Sequence, residues 1–157
     1  MLDQISTYFS AEIVYLWLNI GVIPFWLMLI FLPNSKLGNI FISSVFPIFI
    51  LSLAYIFMIY KSYLGSYDFF ENFNLYLGIN NLSDLFSNQE FLIPFWIHFL
   101  AINLFCGSWM SRDGSRLLIS KYLMFFPLLI TYFIGPLGIF IYWIIRIFYA
   151  KKISLYD

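Results

Sequence analysis

The chain has 157 residues, of which 62% are hydrophobic and 24% aromatic, whereas only 10% are charged. A water-soluble domain of this length cannot bury so large an apolar fraction, so the composition predicts an integral membrane protein. The formal net charge is zero, with 8 basic and 8 acidic residues. We therefore expect membrane lipid as a partner and no nucleic acid.

Four apolar runs are long enough to cross a bilayer, for which a helix needs about 20 residues. They lie at about 11–32, 38–60, 88–110 and 121–148. The sequence thus predicts an all-α fold, in which residues 1–157 form a single transmembrane domain, a bundle of four helices. Polar turns at Pro33–Lys36 and Ser111–Arg116 predict antiparallel connections after the first and third spans.

The connection between the second and third spans, residues 61–86, is polar but contains many Phe and Leu side chains. This mixture predicts an interfacial segment that lies on the membrane. At its end, Ser87 and Glu90 have the spacing of a capping box, and Phe86 and Phe91 that of a hydrophobic staple. We therefore expect the third helix to begin at or near Ser87.

Basic residues give no orientation for a four-span bundle, because they divide equally between its two sides. One predicted side carries Lys36, Arg112, Arg116 and Lys121, and the other carries Lys61, Arg146, Lys151 and Lys152.

The third span carries polar groups near its middle, where burial in a bilayer is unfavourable and function is a common reason for it. His98 is the only histidine of the chain. At about 100° per residue, His98 and Trp109 share one helix face, whereas Trp96, Asn103 and Gly107 share another. Either this helix is buried on both sides, or one face lines a cleft that an apolar ligand enters from the lipid.

The fourth span contains Gly135, Gly138, Tyr142 and Arg146 along one broad face. Two interpretations stay open for this face. The glycines allow close approach of another helix in a kinked, tightly packed bundle, or they form the wall of a ligand groove with Arg146 at its end.

Several kinds of site are excluded by the residue inventory. One histidine and one cysteine, Cys106, are too few for a conventional zinc site or a bis-histidine haem. The sequence also contains no phosphate-binding or dinucleotide-binding glycine motif. We therefore expect neither a metal nor a cofactor.

The same residues carry a family resemblance. The motifs are W-x-H at Trp96–His98, N-L-F at Asn103–Phe105, Arg112–Gly114, F-x-G-P-x-G at Phe133–Gly138, and the first hairpin from Ile23 to Asn34. Together they resemble the abscisic acid-deficient 4-like family of small membrane proteins, which in plants are required for the synthesis of neoxanthin from violaxanthin. One position departs from the family pattern, since Asn103 stands where the family commonly has Asp, and an amide cannot take up a proton as a carboxylate does.

The resemblance implies a carotenoid-related function, either epoxycarotenoid isomerisation or pigment binding. Opening an epoxide while removing a proton requires an acid and a base, and His98 is able to serve as either. The resemblance further implies that Asp113 or Arg146 polarises or orients the substrate. The residues predicted to contact a carotenoid or another apolar ligand line the two polar helices: Trp96, Asn103, Gly107, Trp109, Gly135, Gly138 and Tyr142.

A second hypothesis is a non-catalytic membrane protein that binds an apolar ligand or supports a larger membrane complex through its aromatic surface. Whether the chain forms an oligomer stays open in both cases. The first ten residues lack a signal or transit peptide pattern. The expected location is therefore a bacterial inner membrane or a thylakoid-type membrane.

Overall fold

The computed structural model describes residues 10–32 and 46–151. Within these ranges the fold is all-α, as predicted, with six α-helices and one 3₁₀ helix. In chain order they are α1 (Ala11–Phe31), α2 (Phe46–Leu64), the 3₁₀ helix (Phe69–Tyr76), α3 (Ile79–Ser87), α4 (Gln89–Arg116), α5 (Lys121–Phe133) and α6 (Gly135–Ala150). The predicted turn at Pro33–Lys36 lies outside the described residues.

Three helices, α1, α2 and α4, are long and apolar enough to cross a membrane, judged by length and composition. They match the described parts of the first three predicted spans, although α2 continues to Leu64 and α4 continues to Arg116. Residues 38–45 of the second predicted span lie outside the described residues. Large apolar side chains on the helices are exposed in the isolated chain, such as Trp17 at 70% and Phe148 at 76%. A surface of this kind suits lipid rather than water.

The polar connection after α2 is largely helical, because the 3₁₀ helix and α3 together occupy most of residues 69–87. Asp68 caps the 3₁₀ helix, where its carboxylate accepts a hydrogen bond from the Phe70 N–H. Tyr67, just before this cap, donates its hydroxyl to Asn72 at 2.7 Å, and burial followed by the nearby Glu71 carboxylate raises the pKa of the Tyr67 phenol. The interfacial position of this segment stays a prediction.

The predicted capping box at Ser87 is wrong. Ser87 is the last residue of α3, and its hydroxyl donates to the Ser83 carbonyl at 3.1 Å. Asn88 precedes α4 instead, and its side-chain oxygen accepts from the Glu90 N–H at 2.9 Å. Asn caps a helix N-terminus as well as Ser does. Because Ser87 belongs to α3, the residue that caps α4 is Asn88, one position later than predicted. Phe86 and Phe91 are nevertheless in ring contact, as expected for the staple, with 5.5 Å between centroids.

The predicted turn at Ser111–Arg116 is also wrong, because these residues form the last turns of α4. The helix ends after Arg116 in a Schellman arrangement, with Leu118 in the left-handed region at φ 54° and the Ile119 N–H bonded to the Gly114 carbonyl at 2.9 Å. Met124 packs directly against Gly114, where a Cβ would lie 2.8 Å from the Met124 sulfur. Asp113-Gly114 therefore forms no turn, although this dipeptide is a common turn signal.

The fourth predicted span, 121–148, is not one helix. It breaks at Ile134, where φ is −139° and ψ is 82°, into α5 of 13 residues and α6 of 16 residues. Gly138 of α6 lies directly against α5, since a Cβ at Gly138 would lie 2.0 Å from the Thr131 hydroxyl and 2.6 Å from the Pro127 carbonyl. Thus α6 folds back along α5. The proline after Gly135 favours this break because it cannot continue the preceding helix.

The chain divides into two compact units, and the division falls within the long helices. Of the described residues, the first unit contains 10–21 and 49–101. The second contains 22–32, 46–48 and 102–151.

Candidate functional site

In the first unit, the His98 side chain lines a groove between α2 and α4. The groove has a volume of about 210 Å³ and is lined by Leu51, Ser52, Tyr55, Ile56, Ile97, His98 and Ala101. His98 itself is exposed, and its helix neighbour Ile97 is only 1% exposed. Of the two arrangements predicted for the third span, the His98 face therefore borders an open cleft.

The sequence analysis did not single out Ser52 or Tyr55. They are three residues apart on α2 and consequently lie on one helix face, and both line the groove together with His98. Their spacing was a usable signal, but many helices contain such a pair. Only the packing of α2 against α4 reveals that the two hydroxyls lie near the histidine.

The helices of the first unit meet again at the start of α4. The Ser62 hydroxyl, on a residue that is 1% exposed, donates to the Glu90 carboxylate. Since Ser62 is near the end of α2 and Glu90 is in the first turn of α4, the two helices are antiparallel. This contact fixes one end of the groove-forming pair.

Trp96, which was predicted to contact ligand, packs between aromatic rings of the first unit. Its ring lies 5.6 Å from Tyr15 and 5.1 Å from Phe99, measured between centroids. The indole N–H is buried and has no hydrogen-bond partner among the described residues. Trp96 is outside the lining of the His98 groove, and its role in ligand binding stays a prediction.

In the second unit, Asp113 joins two residues of α6 to α4. Its Oδ2 accepts hydrogen bonds from the Tyr142 hydroxyl at 2.6 Å and from the Arg146 Nε at 2.6 Å. Its Oδ1 accepts from Arg116 at 3.1 Å. Asp113 is 8% exposed, Arg146 is 1% exposed and Tyr142 is fully buried. Both oxygens of the carboxylate therefore accept hydrogen bonds from side chains of the protein.

Aromatic rings surround this Asp113 cluster. Trp109 meets Tyr142 edge-on at 5.5 Å, and the Arg146 guanidinium lies over Trp143 at 5.4 Å from the ring centroid. A buried ion pair is favourable only when its polar atoms are satisfied. This arrangement suits a structural connection between α4 and α6, and a catalytic role of Asp113 or Arg146 stays a prediction.

The three predicted ligand-binding glycines give room to side chains of the protein itself. A Cβ at Gly107 would lie 2.7 Å from the Trp26 ring, and one at Gly135 would lie 2.1 Å from the Asn103 side-chain oxygen. Gly138 lies against Thr131. Their contact with a ligand remains a prediction.

Asn103 is buried beside Gly135, at the tip of the α5–α6 pair. It is 5% exposed, and its side-chain nitrogen has no hydrogen-bond partner in the described part of the chain. The neighbouring Thr131 hydroxyl donates instead to the Pro127 carbonyl at 2.7 Å. Asn103 therefore lies on a packed face, in contrast to His98.

The structure thus brings Asp113, Tyr142 and Arg146 together and places Trp109 against them. His98 belongs to the first unit and lies with Ser52 and Tyr55. No group of three or more His, Cys, Asp or Glu side chains that would hold a metal ion occurs within residues 10–32 and 46–151.

Comparison with known proteins identifies a family. A family model described as ABA DEFICIENT 4-like matches residues 13–142. The chain is also 25% identical over 124 residues to Protein ABA DEFICIENT 4, chloroplastic, of Arabidopsis thaliana, and the match covers 73% of this chain and 56% of that protein. The chain thus spans little more than half the length of this relative. No solved structure matches it. Because the family model covers most of the chain, the protein belongs to the ABA DEFICIENT 4-like family.

Proposed function

We propose that this protein binds the epoxide-bearing end of a carotenoid at the groove beside His98 and isomerises the epoxide. The observation that carries the proposal is the groove itself, in which one imidazole and two hydroxyls lie among apolar walls. Pockets that bind small apolar molecules commonly combine apolar walls with a few convergent polar groups. Family membership supports a carotenoid as the apolar molecule.

The groove has the groups that the chemistry requires. Conversion of an epoxide to an allenic alcohol breaks one C–O bond, moves one proton from carbon and adds one proton to the former epoxide oxygen. The product is an isomer, so no oxidant or reductant is consumed. Neutral imidazole accepts the proton from carbon, and the imidazolium then donates one to oxygen. The hydroxyls of Ser52 and Tyr55 supply hydrogen bonds that orient oxygen atoms of the ligand.

The same proposal gives the Asp113 cluster a supporting role. Its oxygens already accept three hydrogen bonds from protein groups, so it stabilises the packing of α4 and α6 rather than contacting substrate. We place the protein in a thylakoid-type membrane. The three apolar helices and the chloroplast relative support this location.

The test is conversion of violaxanthin in membranes that contain the full chain or its variants. We expect His98→Ala to lower the rate of neoxanthin formation at least 100-fold, the scale at which general acid–base groups contribute. The control is Ile102→Ala, a change four residues further along α4 at an exposed position that does not line the groove; its rate should match that of the unchanged protein.

Undiminished conversion by His98→Ala would remove His98 from the mechanism. If the unchanged protein binds pigment but converts none, the function is pigment binding without catalysis. A protein that neither retains nor converts pigment would contradict both forms of the proposal.

A further inference from the structure

We propose that α5 and α6 form a re-entrant hairpin that enters and leaves the membrane on one side, and that its open end binds anionic lipid headgroups. This inference is independent of the carotenoid proposal, since it rests on the helices and charges of the second unit.

The first support is helix length. At 1.5 Å per residue, the 13 residues of α5 and the 16 residues of α6 extend about 20 Å and about 24 Å. The hydrocarbon core is about 30 Å thick, so neither helix crosses it alone. The two helices together would cross the hydrocarbon core only if α6 continued in the direction of α5, and it does not.

The second support is direction. Gly135, the first residue of α6, lies against Asn103, whereas Arg146 near its end bonds to Asp113. Asp113 is three residues before Arg116, where α4 ends. Because α5 begins at Lys121, soon after α4 ends, α6 returns to the same end of the bundle from which α5 started.

The tip of the hairpin is compatible with membrane depth. Non-helical backbone within a bilayer requires that its polar groups be satisfied by protein. At the break, the Ile134 N–H donates to the Ile130 carbonyl at 2.7 Å, and the Ile134 carbonyl accepts from the Gly138 N–H at 3.1 Å. Both backbone groups of the connecting residue are therefore bonded. The buried Gly138 lets α6 pack closely against α5, and the buried Gly135 lies against Asn103 of α4.

The hairpin redistributes the basic residues relative to a four-span bundle. Five of the six described cations lie at or after the end of α4, at Arg112, Arg116, Lys121, Arg146 and Lys151. With a re-entrant hairpin all five share one side of the membrane. Lys61 precedes α4, and the two ends of a membrane-crossing helix lie on opposite sides. The even division expected from four spans is thus replaced by a basic side, which the positive-inside rule assigns to the cytoplasm or its plastid equivalent.

Four of these cations are exposed at the open end of the hairpin: Arg112, Arg116, Lys121 and Lys151. Arg116 also pairs with Asp113, and Arg146 is buried against the same carboxylate. Clusters of Lys and Arg next to membrane helices attract the phosphate groups of anionic lipids, each by about 1 kcal/mol, which corresponds to about fivefold in affinity per cation. Charge complementarity therefore favours a lipid phosphate as the occupant of this surface.

Topology is tested by labelling single cysteines in sealed vesicles of one orientation, in a Cys106→Ala background. The positions are Ser120, Lys151 and Ser83, all of which are exposed. With a membrane-impermeant maleimide, Ser120→Cys and Lys151→Cys should react from the same side, and Ser83→Cys from the other. Reaction of Ser120→Cys and Lys151→Cys from opposite sides would overturn the hairpin.

Headgroup binding is tested in nanodiscs of equal phosphatidylglycerol and phosphatidylcholine, by counting the lipids that stay bound in native mass spectrometry. Phosphatidylglycerol should be enriched on the unchanged full chain, and Arg112→Gln with Lys121→Gln should lower the enrichment by about fivefold for each charge. Lys61→Gln, in the last turn of α2, is the matched control and should keep it. Equal retention of both lipids by the unchanged protein would overturn the headgroup site.

Discussion

At the level of single residues, His98 and Asp113 show how differently two polar groups of one apolar helix are used. Asp113 is 8% exposed and accepts three hydrogen bonds. His98 is exposed in a groove. A group whose hydrogen bonds are all made within the protein supports the fold, whereas one that borders a cavity is available to a ligand. This contrast is why we assign chemistry to His98 and support to Asp113.

Asp113→Asn should destabilise the protein strongly. The change removes the carboxylate that the Arg146 Nε contacts at 2.6 Å, and Arg146 is 1% exposed. Breaking a buried ion pair at one partner lowers the free energy of unfolding by about 3–5 kcal/mol. Thermal unfolding in detergent measures the effect. Tyr142→Phe, which removes one hydrogen bond to a charged group, should lose only about 1.5–3 kcal/mol.

Arg112→Gln, one residue before Asp113 and exposed, is the control for this series and should change stability little. Equal stability of Asp113→Asn and Arg112→Gln would mean that the buried cluster does not hold α6 in place.

The sequence identified these residues but not their pairing. Asp113, Tyr142 and Arg146 each stood out as polar groups in apolar helices, yet Tyr142 and Arg146 are 29 and 33 residues from Asp113. Contacts at such separation depend on the direction in which α6 runs, and periodicity does not contain that direction. Ser52 and Tyr55 were also missed, because their position beside His98 depends on how α2 packs against α4.

At the level of helices, the sequence predicted the long helices correctly but not the places where helices break or end. Long apolar runs predicted α1, α2 and α4 because length and hydropathy are local properties. The fourth run was read as one span, although Gly135 and Pro136 were present as signals of interruption. Their effect depends on Gly138 packing against Thr131, which is a tertiary contact.

Gly138→Ala tests this contact. A Cβ at Gly138 would lie 2.0 Å from the Thr131 hydroxyl and 2.4 Å from the Thr131 backbone nitrogen, and backbone atoms cannot move aside as a flexible side chain can. Overpacking of this kind should lower the free energy of unfolding by about 1–3 kcal/mol or more. Thermal unfolding in detergent measures it.

Gly21→Ala is the matched control, because a Cβ there meets nothing within 4 Å. In α1 this change should raise stability by about 0.5–1 kcal/mol, since alanine loses less backbone entropy than glycine in a helix. If Gly138→Ala is as stable as Gly21→Ala, α5 and α6 do not pack as described.

At the level of the whole molecule, composition predicted a protein with a lipid-suited apolar surface, because this property follows from the sum over residues. The all-α fold was predicted from the lengths of the apolar runs. The family resemblance carried by Trp96–His98 and Phe133–Gly138 was confirmed by the family match. Membrane sidedness could not be predicted, since the side on which Arg146 lies depends on whether α6 continues α5 or returns along it.

The central claim is that the groove beside His98 holds the epoxide-bearing end of the pigment, and filling that groove tests it most directly. Ser52 is exposed and lines the groove, so Ser52→Trp should occupy most of its volume without disturbing a buried contact. The measurement is visible absorbance that stays with the protein through purification in mild detergent after incubation with violaxanthin. The account predicts a coloured unchanged protein and a colourless, folded Ser52→Trp variant; equal pigment on both, or none on the unchanged protein, would contradict it.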